Sequence, residues 1–143
     1  MDIEGAEVEA LSGINKILNN VNKPMKILME LHPMYYQDGN MDKQMQRMFD
    51  AGFKVKYVVS AGLARPDYFI KKGYEPVKVY KTGNWSRGLY TDIRNEDVIE
   101  MISSEFHQEV RYPLRSIIKN PLLLKNPVTT TPKIVRVIML ELK

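Results

Sequence analysis

Cysteine is missing from all 143 residues, which excludes disulfides, thiolate metal sites and cysteine nucleophiles. Histidine is nearly missing too: His32 and His107 are the only two, too few for a metal site built mainly from imidazoles. A carboxylate site for a hard cation stays open. No apolar run approaches the roughly 18 residues that a membrane-spanning helix needs. The opening Met1-Asp2-Ile3-Glu4 is acidic, unlike a secretory signal, so a cytoplasmic location is expected. Internal repeats, low-complexity tracts and domain linkers are also absent, so residues 1–143 are expected to form a single domain.

What is present is ordinary for a globular protein: 44% hydrophobic and 27% charged residues. A chain of this length can bury roughly two-thirds of its unfolded surface. The net charge of +4 is spread along the chain, which permits loose attraction to phosphates or acidic substrates without demanding it.

Val8, Leu11, Ile14, Leu18 and Val21 recur at helical spacing, and Lys23-Pro24 should end that helix near Asn22. Met25–Leu31 is a short run apolar on both faces, as expected of a strand buried on both sides in a parallel sheet. Asn40 is placed to cap a helix over Met41–Ala51, stopped by Gly52, with Met41, Met45, Met48 and Phe49 on its core face. Phe53–Ser60 reads as a second strand, making a strand–helix–strand unit. Beyond it, a short helix over Pro66–Lys72 and a hairpin pairing Val77–Lys81 with Trp85–Thr91 are expected. A helix from Glu96 to Phe106, a short helix over Leu114–Lys119 and a Val/Ile-rich strand over Ile134–Leu142 complete the reading.

Three groups of residues have chemical potential. Asp2, Glu4 and Glu7 flank Gly5 just before the first helix. Their ordinary role is to complement the helix dipole at a solvated end, each contact contributing about 0.3–1 kcal/mol. Their sharper role is to line a crevice at the sheet's carboxyl edge and orient or deprotonate a hydroxyl. Glu30 and His32 alternate with Leu31 and so project to one side at a strand end, as a general-base pair or as a hydrogen-bonded strand terminus. Tyr35, Tyr36 and Trp85 could stack on a sugar or base, or simply cover the core edge. Their interleaving with Lys54, Lys56, Lys78 and Lys81 is the weak case for single-stranded nucleic acid; no RNA-binding signature accompanies it, so nucleic acid is an unlikely partner.

The run Asp2-Ile3-Glu4-Gly5-Ala6-Glu7, followed by Gly13 and a strand ending Glu30-Leu31-His32, resembles the second half of FkbM-type methyltransferases. The resemblance is specific from Asp2 to about Gly52. It implies methyl transfer from S-adenosylmethionine to a hydroxyl of a small molecule or sugar. The implied fold is α/β: a partial Rossmann-like sheet, mainly parallel and three-layered, lacking the N-terminal donor-binding strands. Residues 1–60 would form the methyltransferase-like core and 61–143 a divergent extension with antiparallel additions. By resemblance Asp2, Glu4, Glu30 and His32 would be catalytic, and Glu7, Tyr36 and Trp85 would bind substrate.

In the family the Asp-x-Glu-Gly segment ends the fourth strand of the sheet, whereas here it opens the sequence, and the glycine-rich loop that holds the donor is not present. Two expectations follow: the isolated chain does not bind S-adenosylmethionine, and the edge of Met25–Leu31 pairs with a second copy or a donor-binding chain. The rival reading is a non-catalytic interaction module.

Overall fold

The computed structural model describes residues 1–18, 23–36, 40–61, 66–83, 85–102 and 135–143. Its helices are α1 (Glu7–Gly13), α2 (Asn15–Leu18), α3 (Asn40–Asp50), α4 (Pro66–Lys71) and α5 (Asn95–Ile102). Its strands are β1 (Met25–Glu30), β2 (Lys54–Ser60), β3 (Lys78–Thr82), β4 (Trp85–Tyr90) and β5 (Val135–Leu142). The expected helix over Leu114–Lys119 and the end of the helix reaching Phe106 lie outside the described residues. None of the described helices is long and apolar enough to cross a membrane.

The strands form one sheet in the order β1-β5-β2-β4-β3, and every hydrogen-bonded neighbour pair is antiparallel. This overturns the mainly parallel, Rossmann-like sheet expected from the sequence. The physical reason lies in β5. The strands β1 and β2 run in the same direction, but no ladder joins them, because β5 lies between and opposes both. The C-terminal strand, expected as part of an extension, is therefore an interior strand of the sheet, between β1 and β2. Its composition suits an interior strand: Val135, Ile138 and Leu140 are wholly buried, and β-branched and aliphatic side chains pack well on a pleated surface.

Layering differs from expectation as well. Met29, Val58, Ile138 and Tyr90 are neighbours across the ladders and lie buried with Met41, Met45, Met48, Val98, Met101 and Ile102. Each such buried aliphatic side chain contributes about 1.5–3 kcal/mol over leaving it exposed. Leu28, Val59, Leu89, Val137 and Met139 alternate with that set and, with Tyr57, line a shallow apolar hollow of about 190 Å³ on the opposite face. Leu28, expected to be buried, is 56% exposed there. Among the described residues the arrangement is thus helices on one face, not a three-layer sandwich.

The helix ends follow local rules. Gly52 (φ +93°) and Gly73 (φ +86°) close α3 and α4 in the left-handed conformation that glycine adopts without strain. In each case the next residue's N–H reaches back five residues: Phe53 to the Met48 carbonyl, Tyr74 to that of Phe69. The first helix is shorter than its periodicity suggested, ending at Gly13, and α2 follows as a single turn.

Candidate functional site at the carboxyl end of the first strand

β1 is an edge strand, and the start of the chain lies along its free side. The Met1 amino group donates to the Leu28 carbonyl at 2.6 Å, and the Glu30 N–H donates to the Met1 carbonyl at 2.9 Å. One residue bonding to two positions that flank its opposite number is the parallel bridge arrangement. It sets Asp2 beside Glu30. The chain then turns through Glu4 (φ 39°) and Gly5 (φ 101°) into α1. Gly5 is required twice over, since a Cβ there would meet the Tyr35 Cβ at 2.8 Å.

That turn brings Glu7 under the strand end. Glu7 is wholly buried, and its two carboxylate oxygens are both engaged. Oε2 accepts the Gly5 N–H at 2.9 Å, and Oε1 lies 2.5 Å from His32 Nδ1. A buried carboxylate at that distance holds the proton on Nδ1 and fixes the ring. The opposite nitrogen, Nε2, lies 4.0 Å from Asp2 Oδ1 and 3.9 Å from Glu30 Oε1, on a side chain that is 13% exposed. Both distances exceed hydrogen-bond length. Arg136, at the start of β5, places Nη2 3.2 Å from the same Glu30 oxygen.

The backbone of His32 is braced separately. Its N–H donates to the Tyr36 hydroxyl at 2.9 Å, across a single 3-10 turn opened by Pro33. Burial pushes the Tyr36 phenol well above its usual range; the His32 N–H works against this and the Glu7 charge adds to it. Tyr36 is therefore a neutral strut.

The structure brings Asp2, Glu30 and His32 together at one solvent-facing point. Glu7, expected to contact substrate, is sealed beneath His32 and positions it. Glu4 is exposed and makes no ion pair with His32. Tyr36, expected to shape a pocket, is 7% exposed and packs beneath the histidine. Trp85 opens β4 opposite Thr82, three strand positions away from β1, and its side chain lies outside the described residues. Arg136 and the Met1 pairing were missed. Neither has a sequence signal, because both depend on which strands become neighbours.

A second polar cluster lies elsewhere, on α5, the residue before it and the segment that follows α4. Asp97 accepts from the Tyr74 hydroxyl, from Arg94 at 2.7 Å and from Lys72 at 3.1 Å, while Lys72 also meets Glu100 at 2.5 Å. Burial pushes the Asp97 carboxyl up, but the hydrogen bonds from Tyr74, Arg94 and Lys72 outweigh it and hold the group below its usual range. At the opposite end of the sheet from His32, a hollow of about 590 Å³ is lined by Lys54, Lys56, Lys143, Asp92 and Glu141. The Lys56 ammonium, 3.3 Å from Glu141, holds that carboxyl low. Among these three places, the β1 end alone pairs a fixed imidazole with carboxylates that leave it unbonded on its outer side.

Comparison of the chain with protein-family models, curated proteins and solved structures produces no match, so the chemistry of this site is argued from its own atoms.

Proposed function

We propose that this chain supplies the acceptor side of an FkbM-like O-methyl transfer, with His32 as the proton acceptor for a hydroxyl of a small molecule or sugar. The observation that carries the reading is the Glu7–His32 contact: a buried carboxylate 2.5 Å from Nδ1 leaves Nε2 as a free acceptor at the surface. An imidazole so fixed is in the form a general base requires, a role worth typically about 10²–10⁴-fold in rate. Asp2 and Glu30 flank Nε2 at 4.0 and 3.9 Å. The resemblance of Asp2–Gly52 to the methyltransferase family supplies the reaction type.

The donor does not fit these residues. The eight glycines are scattered singly along the sequence, and no glycine-rich turn joins a strand to a helix. S-adenosylmethionine therefore enters this reading only as a group held by another polypeptide segment. The test uses the full chain captured with whatever it associates with in its cell of origin. Transfer of label from methyl-labelled S-adenosylmethionine to hydroxylated acceptors should fall at least 100-fold in His32→Gln. Transfer that is absent, or indifferent to His32→Gln, would contradict the proposal.

The second reading, a non-catalytic interaction module, is favoured by a different observation. Among the described residues, the outer edge of β1 carries the single Met1 bridge, and Leu28 and the apolar hollow lie beside it. An incompletely paired edge is a template for a strand of another chain. Sedimentation of the captured complex without methyl transfer would select this reading.

A further inference from the structure

We propose that Asp2, Glu30 and His32 form a binding site for a divalent first-row transition cation of the Zn²⁺ class. The inference concerns the same cluster as the proposed function but does not rest on it, since it needs neither methyl donor nor acceptor.

Three observations carry it. The first is the outer shell. Metal-ligating histidines characteristically give their other ring N–H to a carboxylate, which fixes the tautomer and aims the lone pair. Glu7 does this for His32 from a wholly buried position. An ordinary surface histidine needs no such partner.

The second is spacing. One ligand atom from each of Asp2, Glu30 and His32 lies within 4.8 Å of the other two. Around a single ion with bonds of roughly 2.0–2.2 Å, ligand atoms stand about 3–3.5 Å apart. Asp2 is 65% exposed and can close the remaining gap by rotating its side chain. The present distances of 3.9 and 4.0 Å are too long for the acids to be satisfied by the imidazole itself.

The third is charge. Asp2, Glu7 and Glu30 gather around one imidazole, with the Arg136 guanidinium on Glu30 and the Met1 ammonium on the adjoining strand edge, so carboxylates predominate beside Nε2. A divalent ion suits a place where carboxylates predominate. Arg136 shares Glu30 Oε1 at 3.2 Å but is 43% exposed, and it can turn into solvent when an ion takes the oxygen.

The donor set selects the ion. One imidazole nitrogen and two carboxylate oxygens suit Zn²⁺ and its neighbours, whereas Ca²⁺ and Mg²⁺ prefer oxygen donors throughout. Three protein ligands at an open edge leave a coordination position for water or a hydroxyl, the arrangement of a catalytic and not a structural ion.

The experiment is a titration of the metal-free full chain with Zn²⁺ by calorimetry and by carbon-detected NMR of the two histidine rings. The expected result is one equivalent bound, with the His32 ring signals shifting saturably and those of His107 unmoved. Asp2→Asn and Glu30→Gln should each weaken binding at least tenfold, Glu7→Gln by about 10–100-fold as an outer-shell change, and Arg136→Ala should tighten it. Circular dichroism of Asp2→Asn confirms that this surface variant is folded. No saturable binding, or binding that survives both Asp2→Asn and Glu30→Gln, would overturn the site. Zn²⁺ binding in a complex that transfers no methyl group would keep the site and remove the methyl-transfer reading; transfer without Zn²⁺ binding would do the reverse.

Discussion

Around Asp97, two cations meet two carboxylates and a phenol; around His32, three carboxylates meet one guanidinium and one imidazole. The first cluster is closed. Each cation reaches a carboxylate within 3.1 Å, and the buried acid at its centre receives donors from three side chains. Such a network ties α5 to the end of α4 and asks nothing further of its surroundings. In the second, the short contacts to the histidine ring are on its inner side. Glu7 is used on both oxygens, while Nε2 of His32 and the acids beside it stand at distances that suit a shared third party better than one another. Each cluster has at its heart a buried acid from a helix's first turn, Asp97 in one and Glu7 in the other, so that feature does not tell them apart. The separation of Nε2 from the acids around it does.

The comparison can be broken from the closed side first. Asp97→Ala removes the common acceptor of Tyr74, Arg94 and Lys72 and should cost about 2–3 kcal/mol, read as a lowered urea midpoint. No loss would mean that the network is decorative.

Gly5→Ala tests the turn that delivers Glu7. Positive φ and the collision with Tyr35 together should cost about 2 kcal/mol. The His32 ring signals should shift with it, because the carboxylate beneath the ring is displaced.

Acid should act through the closed cluster. Asp97 titrates below its usual value in the folded chain, so its contribution is complete above the unfolded value near 3.9 and is lost as pH falls through the lower folded one. Denaturation midpoints followed from about pH 5 to pH 2 should fall more steeply in the parent chain than in Asp97→Asn. Parallel curves would contradict the assignment.

The smallest effect is expected at the open cluster. Asp2→Asn should change stability by under about 0.5 kcal/mol while altering ligand binding, because its side chain is solvated and unpaired at hydrogen-bond range.

Much of the element inventory was legible. Alternation over Lys54–Ser60, the methionine face of α3, the hairpin about Gly83 and the Val/Ile-rich C-terminal strand all emerge within a residue or so of where periodicity puts them. Pairing was not legible. A period of two says that a segment is extended and which residues share a face, but it does not say which strand lies alongside. The segment from Met25 to Leu31 therefore read as doubly buried in a parallel sheet, whereas Leu28 faces the open side and β5 runs against β1.

The site was legible in its parts and not in its roles. Asp2, Glu30 and His32 were singled out because acids and a histidine stand at a strand end. Glu7 read as a dipole-complementing or substrate-facing acid, since a first-turn glutamate is ordinarily solvated. Its complete burial against His32 comes from a contact 25 residues away in sequence, which no local spacing encodes.

The most direct measurement of the central claim is the tautomer of His32, read from its two ring ¹⁵N shifts at a pH where the imidazole is neutral. A proton on Nδ1 with Nε2 bare, lost or scrambled in Glu7→Gln, is the expected result. A proton resting on Nε2, or a tautomer unchanged by Glu7→Gln, would contradict the claim that the buried carboxylate arms this histidine toward the surface.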